Sequence, residues 1–244
     1  MHLSRDHRDA PAFLAEIAVR GASLPVLGPI VPRELARFDA VVTGPLGLRV
    51  LRDELGILGA MRVVAAIAKR AMFRDPMRAL PPVRDVRDQL TRQQLRPVLL
   101  LDAVLRDDLK LDDARASAVL RKVVLTSGAA FLAHFMPSLT FAEWSTADAP
   151  TRERFVIGLL SRFFNAEIHR WNTEPAALHF DVARCRFVEL LALLGRSELG
   201  HLFCAVDERF ASNPAAGIDL TRSGTLATGA ALCDFRIRLR AIDP

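Results

Sequence analysis

The 244-residue sequence predicts an α+β fold, in which a predominantly helical N-terminal region precedes a small antiparallel sheet with helices packed on one face. Three observations predict it. Up to about residue 171 the apolar residues recur at three- and four-residue steps, the spacing of half-buried helices. From Leu178 the period drops to two, which is strand spacing. The last quarter then reads strand, helix, helix, strand, strand, an order that lays helices over an antiparallel sheet. We divide the chain into a helical region, 1–147, and an α+β region, 148–244, that carries every cysteine, unless the two run on as one continuous domain.

Taken in order, residues 9–20 predict a first helix, with Asp9 as N-cap, Pro11 in the first turn and Gly21 as its stop. A Gly- and Pro-rich loop leads to a short helix over 32–42. After Gly44-Pro45-Leu46-Gly47 a long helix runs to Phe73, with Leu48, Leu51, Leu55, Leu58, Val63 and Ile67 on one face and glycines 56 and 59 as points of close packing or a break. Pro76, Pro81 and Pro82 mark a connection. Further helices fit 85–109, with a candidate break before Pro97, then 112–135, and then 150–171, capped by Asp148 or Thr151. Leu178, Phe180 and Val182 define a strand. Helices follow at 187–194, stopped by Gly195, and from Ser197 to Phe210. Strands at 218–226 and 232–239 close the chain around a turn at Gly229.

Composition narrows the function. With 51% hydrophobic residues the chain buries a core without staples, and three cysteines cannot complete a disulfide framework, so free thiols in a reducing compartment are expected. Met1 to Arg8 is polar, with no secretory signal pattern, and apolar runs are interrupted by Arg62, Lys69 and Arg121-Lys122. These features predict a soluble, cytoplasmic protein with no membrane partner. The net charge of +5 is spread as arginines interleaved with acids, and there is no tyrosine, so the basic stripe and stacking aromatics of a nucleic-acid binder are missing. The expected partner is a small-molecule substrate, and a homodimer is left open.

The chemistry sits between Phe180 and Arg240, where Cys185, Cys204 and Cys233 fall. A single free cysteine is most often a small buried hydrophobe, so the functional reading depends on clustering. His201, Cys204 and Asp207 lie one helical turn apart along one stripe. His201 reads equally as an exposed first-turn side chain. His179, Asp181 and Cys185 share strand parity, but about 20 Å separates the first from the last on a straight strand, so they form no triad. Cys185 falls at a strand-to-helix junction. Cys233 shares the face of Phe235. Arg222 shares parity with apolar Leu220 and Ile218, so it binds a carboxylate, either a ligand's or that of Asp207 or Asp234.

Cys185 after a strand, Glu198-Leu199, Phe203-Cys204 with Asp207, and above all Arg222-x-x-Thr225-Leu226-Ala227-x-Gly229-x-x-x-Cys233-Asp234-Phe235-Arg236 resemble the L-2-amino-thiazoline-4-carboxylic acid hydrolase family. The likeness covers roughly the last 70 residues, and the three cysteines stand where that family's do. The order of elements also resembles 4-vinyl-reductase and TRAPP-like ligand-binding domains, whose cysteines can hold zinc; here Thr225 and Arg222 occupy places that would need a thiolate and a carboxylate, so neither metal nor cofactor is expected. The resemblance implies a hydrolase acting on the C–N bonds of a cyclic amidine, with water adding at the carbon between ring sulfur and nitrogen to give N-carbamoyl-cysteine. On that reading Cys204 is the nucleophile and Cys185 its rival, Cys233 supports them, and Asp207 manages protons. Arg222 holds the substrate carboxylate and Thr225 donates to the developing charge. The alternative is a non-catalytic module binding a small ligand or a metal.

Overall fold

A computed structural model of the protein describes residues 24–137 and 140–240. The helix expected over 9–20 lies outside these residues. Helix α1 (Pro32–Phe38) starts with proline at its first turn and passes through one wide turn, Asp39–Thr43, into α2 (Gly44–Phe73). Gly56 interrupts α2 with φ +72°, a conformation that suits glycine alone among ordinary residues. That break resets the helical phase. Leu51 and Val63 are therefore buried, while Leu58, expected on the same face, is 74% exposed.

Helix α3 (Val86–Ala103), capped by the Asp85 carboxylate, carries Pro97 without breaking and continues through a wide turn to Asp108. Helix α4 (Asp113–Phe135), capped by Asp112, is long and apolar enough to cross a membrane by composition, and one side of it packs against the fold. Ala116, Val119, Leu120 and Val124 lie in the core shared with α2 and α3. Its Gly128 sits so close to Val206 that an added Cβ would fall 2.5 Å from a valine methyl. Two shorter helices follow, α5 (Phe141–Thr146) and α6 (Ala149–Ser161), the latter capped by Asp148.

The sheet contains one strand more than the sequence reading. Strand β1 (Ala166–Glu174) occupies residues assigned to the end of the preceding helix, and it pairs with β2 (Ala177–Cys185) across a tight turn at Pro175-Ala176. Helix α7 (Arg186–Leu193) follows directly and ends near Gly195, whose φ is +66°. A single 3₁₀ turn, Ser197–Leu199, leads into α8 (Gly200–Ala211). Strands β3 (Ile218–Thr221) and β4 (Cys233–Leu239) complete a four-stranded antiparallel sheet in the order β1-β2-β4-β3. Strand β3 stops at Thr221, five residues short of its expected end, because Ser223 and Gly224 give their backbone N–H groups to the Asp234 carboxylate rather than to a ladder.

One sheet face carries Phe180, Val182, Cys233 and Phe235 and packs under Phe155, Val156 and Leu160 of α6. The other face holds Asp181, buried between Arg170 and Arg236. The helices and the sheet are tied by buried charge. Asp102, with no exposed surface, binds Arg106 within its own helix and Arg196 beyond α7. Arg87 of α3 donates to the carbonyls of Phe163, Phe164 and Ala166.

Candidate active site

All three thiols are free and all three line one cavity, together with Asp207 and Arg222. Each arrives on a different element. Cys185 is the N-cap of α7 and the last residue of β2. The Asn165 side-chain amide donates to its sulfur at 3.6 Å. The first helical N–H groups, those of Val188 and Phe187, lie close enough to favour a thiolate without making a full capping bond. Burial nevertheless pushes the Cys185 thiol above its ordinary value. Asn165 is pinned in turn, since its carbonyl accepts the Arg186 N–H at 2.7 Å.

Cys204 stands in the middle of α8, one turn before Asp207. Burial pushes its thiol up to about 11, against the opposing influence of a hydrogen bond from Thr225 and the nearby Arg222 charge. Cys233 opens β4, is 5% exposed, and accepts the Leu226 N–H at 3.2 Å. Burial raises it as well. The Asp207 carboxylate opposes ionisation of all three thiols, so proton movements at these four groups are coupled.

Asp207 is pushed up to about 6 by burial, even though Arg222 beside it favours the charged form. A carboxyl in that range exchanges a proton near neutrality, as general acid–base work requires. Arg222, only 6% exposed, leaves the sheet where β3 ends and spans Asp207 at 3.1 Å, Glu208 at 2.9 Å and the Cys204 carbonyl. Its guanidinium carbon lies 5.3 Å from the centre of the Phe235 ring, over its face. Phe235 is itself stacked on Phe180 at 4.6 Å. Only Nε of this guanidinium lacks a partner while buried.

The Arg222-to-Arg236 segment is thereby accounted for residue by residue. Arg222 clamps α8, and Thr225 donates to Cys204 and contacts Thr228 at 3.1 Å. Leu226 serves Cys233, Gly229 turns the chain at φ +89°, Asp234 secures the start of the loop, and Arg236 pairs with Asp181 at 2.9 Å.

The cavity has a volume of about 470 Å³. Most of its wall is aliphatic and aromatic, including Leu51 and Ile67 from the two arms of α2, Val124 and Phe131 from α4, and the stacked pair Phe187 and Phe203. A second apolar cavity of about 110 Å³ meets it at Phe163, Phe235 and Asp207. Thr225 is buried behind Cys204 and is absent from the lining. His201 is exposed, binds the Glu198 carbonyl at 2.6 Å and lies off the cavity wall; His179 faces Glu174 instead of a thiol. Sequence reasoning missed Asn165, concealed within a stretch read as helix, and Glu208, the second acid on Arg222. Among the described residues no group of three or more His, Cys, Asp or Glu is arranged to hold a metal ion.

The family model described as L-2-amino-thiazoline-4-carboxylic acid hydrolase matches residues 104–237. No curated protein and no solved structure matches the chain.

Proposed function

Because the chain belongs to the L-2-amino-thiazoline-4-carboxylic acid hydrolase family, we propose that it is a hydrolase that opens a small cyclic amidine through an attacking cysteine. One observation supports the cysteine chemistry above the rest: three thiols, a carboxyl near pKa 6 and a guanidinium converge on one cavity. Atom balance moves the cleaved bond from nitrogen to sulfur. N-carbamoyl-cysteine keeps both nitrogens on the former ring carbon and frees the sulfur, so the ring C–S bond is the one that opens.

The environments also reorder the candidate nucleophiles. Cys204 lies in mid-helix with its thiol held near 11, whereas Cys185 has an amide donor and a helix N-terminus to receive a developing thiolate. On this reading Cys185 passes its proton to ionised Asp207 and attacks the amidine carbon. The ring C–S bond breaks, and the departing sulfur takes a proton to become a thiol. The substrate carbon is then held as an isothiourea on the enzyme. Water adds at that carbon, the enzyme sulfur leaves and is reprotonated, and a urea carbonyl remains. Across both steps, one of water's protons ends on the product thiol and one on the former imine nitrogen. Cys204 and Cys233 line the site beside the reacting carbon, and Thr225 steadies Cys204. Arg222, on the cavity wall, holds the substrate carboxylate while setting the proton affinity of Asp207.

Mass spectrometry of the protein incubated with 2-amino-thiazoline-4-carboxylate tests this. The expected result is N-carbamoyl-cysteine, its formation lost in Cys185→Ser, and an adduct of substrate mass trapped on the wild-type chain. Full turnover by Cys185→Ser would return the role to Cys204. No product from folded protein would remove the hydrolase reading.

A second reading, a non-catalytic module enclosing a small ligand, draws on the fact that burial holds all three thiols in the neutral form. Uniformly slow alkylation of every cysteine, unaffected by the ring compound, would favour it.

A further inference from the structure

We infer that the natural substrate carries an extended apolar substituent, on the order of ten carbon atoms, on its cyclic amidine head. The inference rests on the hydrolase reading and names the substrate class for that same site. It starts from a mismatch of size. A cavity of about 150 Å³ is enough to hold benzene, so a ring compound of about nine non-hydrogen atoms fills on the order of 200 Å³. The cavity here is about 470 Å³. With the unsubstituted ring bound, more than half of it would be left without contacts, and an apolar wall offers water few partners in exchange.

The distribution of polarity gives the substituent a direction. The thiols, Asn165, Asp207 and Arg222 occupy the part of the wall built by the sheet, α7 and α8. Most of the remainder comes from α2, α3 and α4, through side chains such as Leu51, Ile67, Leu101 and Val124, with Arg162, Phe163 and Phe164 adding to it just after α6. Besides Arg162, the polar groups in that arm are few: Asp39, Thr43, Gln94 and Ser127. Asp39 is already taken by Thr43 at 3.0 Å and Gln93 at 3.1 Å, so it presents no unpaired carboxylate to a ligand. Leu48 and Val64, one from each arm of kinked α2, line the cavity and are 47% and 49% exposed. They mark an apolar mouth. The arrangement is a reactive polar end joined to an oily channel that reaches solvent between the arms of α2, and it matches an amphipathic molecule entering head first.

A series of 2-alkylamino-thiazoline-4-carboxylates, methyl to decyl, tests this by calorimetric affinity and, separately, by turnover. Affinity is expected to rise roughly threefold to fourfold per methylene until the arm is full, then level off. Ser127→Phe fills the arm from α4 and Gly47→Leu from α2, where an added Cβ meets only Val123 at 3.7 Å. Each variant, checked for folding by its melting curve, should abolish the length dependence and spare the unsubstituted ring. Affinity independent of chain length overturns the inference, while turnover of the bare ring would still uphold the hydrolase reading. Length-dependent binding with no turnover of any member overturns the hydrolase reading and keeps the apolar arm. Length dependence that survives both filling variants places the chain elsewhere and overturns the inference.

Discussion

Arg222 and Asp207 meet at 3.1 Å, one at the end of a strand and the other on the helix beside it. The contact joins the loop that carries the family signature to the helix that carries Cys204. It also sets opposing influences on one carboxyl, since burial pushes Asp207 up while the guanidinium pulls it down, for a net value of about 6.

If Asp207 works as the ionised base, turnover rises with pH through about 6 and levels off above it. Asp207→Asn should remove that limb and at least a hundredfold in kcat. Stability runs the opposite way. A raised folded-state value means that Asp207 favours folding fully below its ordinary 3.8, and that this contribution is lost as pH climbs through 6. Urea titrations from pH 4 to 7 should show the wild type losing on the order of 2–3 kcal/mol relative to Asp207→Asn.

Arg222→Gln removes the influence that lowers Asp207, so the pH–rate limb should move upward, with turnover at neutral pH falling at least tenfold. Arg222→Lys should not restore it. A lysine cannot span Asp207, Glu208 and the Cys204 carbonyl while stacking on Phe235. A pH profile for each variant decides the matter, because mere loss of packing would lower the rate without moving the limb.

With all three thiols raised by burial, iodoacetamide should label the protein slowly at pH 7. Cys185, with its amide donor and helix N-terminus, should react first, and Cys233, 5% exposed, last. Peptide mapping against time gives the order. Cys204 labelled ahead of Cys185 would contradict the proposed nucleophile.

Glycines at two close approaches should resist substitution. A Cβ at 158 would lie 2.6 Å from the Leu27 carbonyl oxygen, where backbone must move, and one at 128 would strike Val206. Each alanine variant should lose about 1–3 kcal/mol in urea unfolding, with Gly158→Ala the worse because a side chain yields more easily than a backbone.

Much of this was legible in the sequence, and the exceptions have physical causes. The helix read over 112–135, the cap at Asp148 and the alternation in β2 gave element starts close to those observed. Strand β1 was hidden because register shifts around Ile168 break its two-residue rhythm. Trp171, about two helical turns beyond Phe163 and Phe164, extended the apparent helical stripe. The end of β3 was misjudged because Asp234, remote in sequence, draws Ser223 and Gly224 away from pairing. Gly56 was visible as a point of breakage, but its effect on which leucines face inward depends on a dihedral angle. The convergence of Cys185, Cys204 and Cys233 on one space could be posed from the letters. The size of that space could not, because it is set by how far α2 and α4 stand from the sheet.

The break at Gly56 has a wider consequence. Both arms of the helix it divides lie ahead of residue 104, outside the stretch that the family model covers, whereas every thiol lies within it. The apolar wall is thus drawn partly from outside the matched stretch, through α2 and α3, and partly from within it, through α4. Because α2 stands apart from the thiols in sequence, the bent helix can be exchanged without touching Cys185, Cys204 or Cys233.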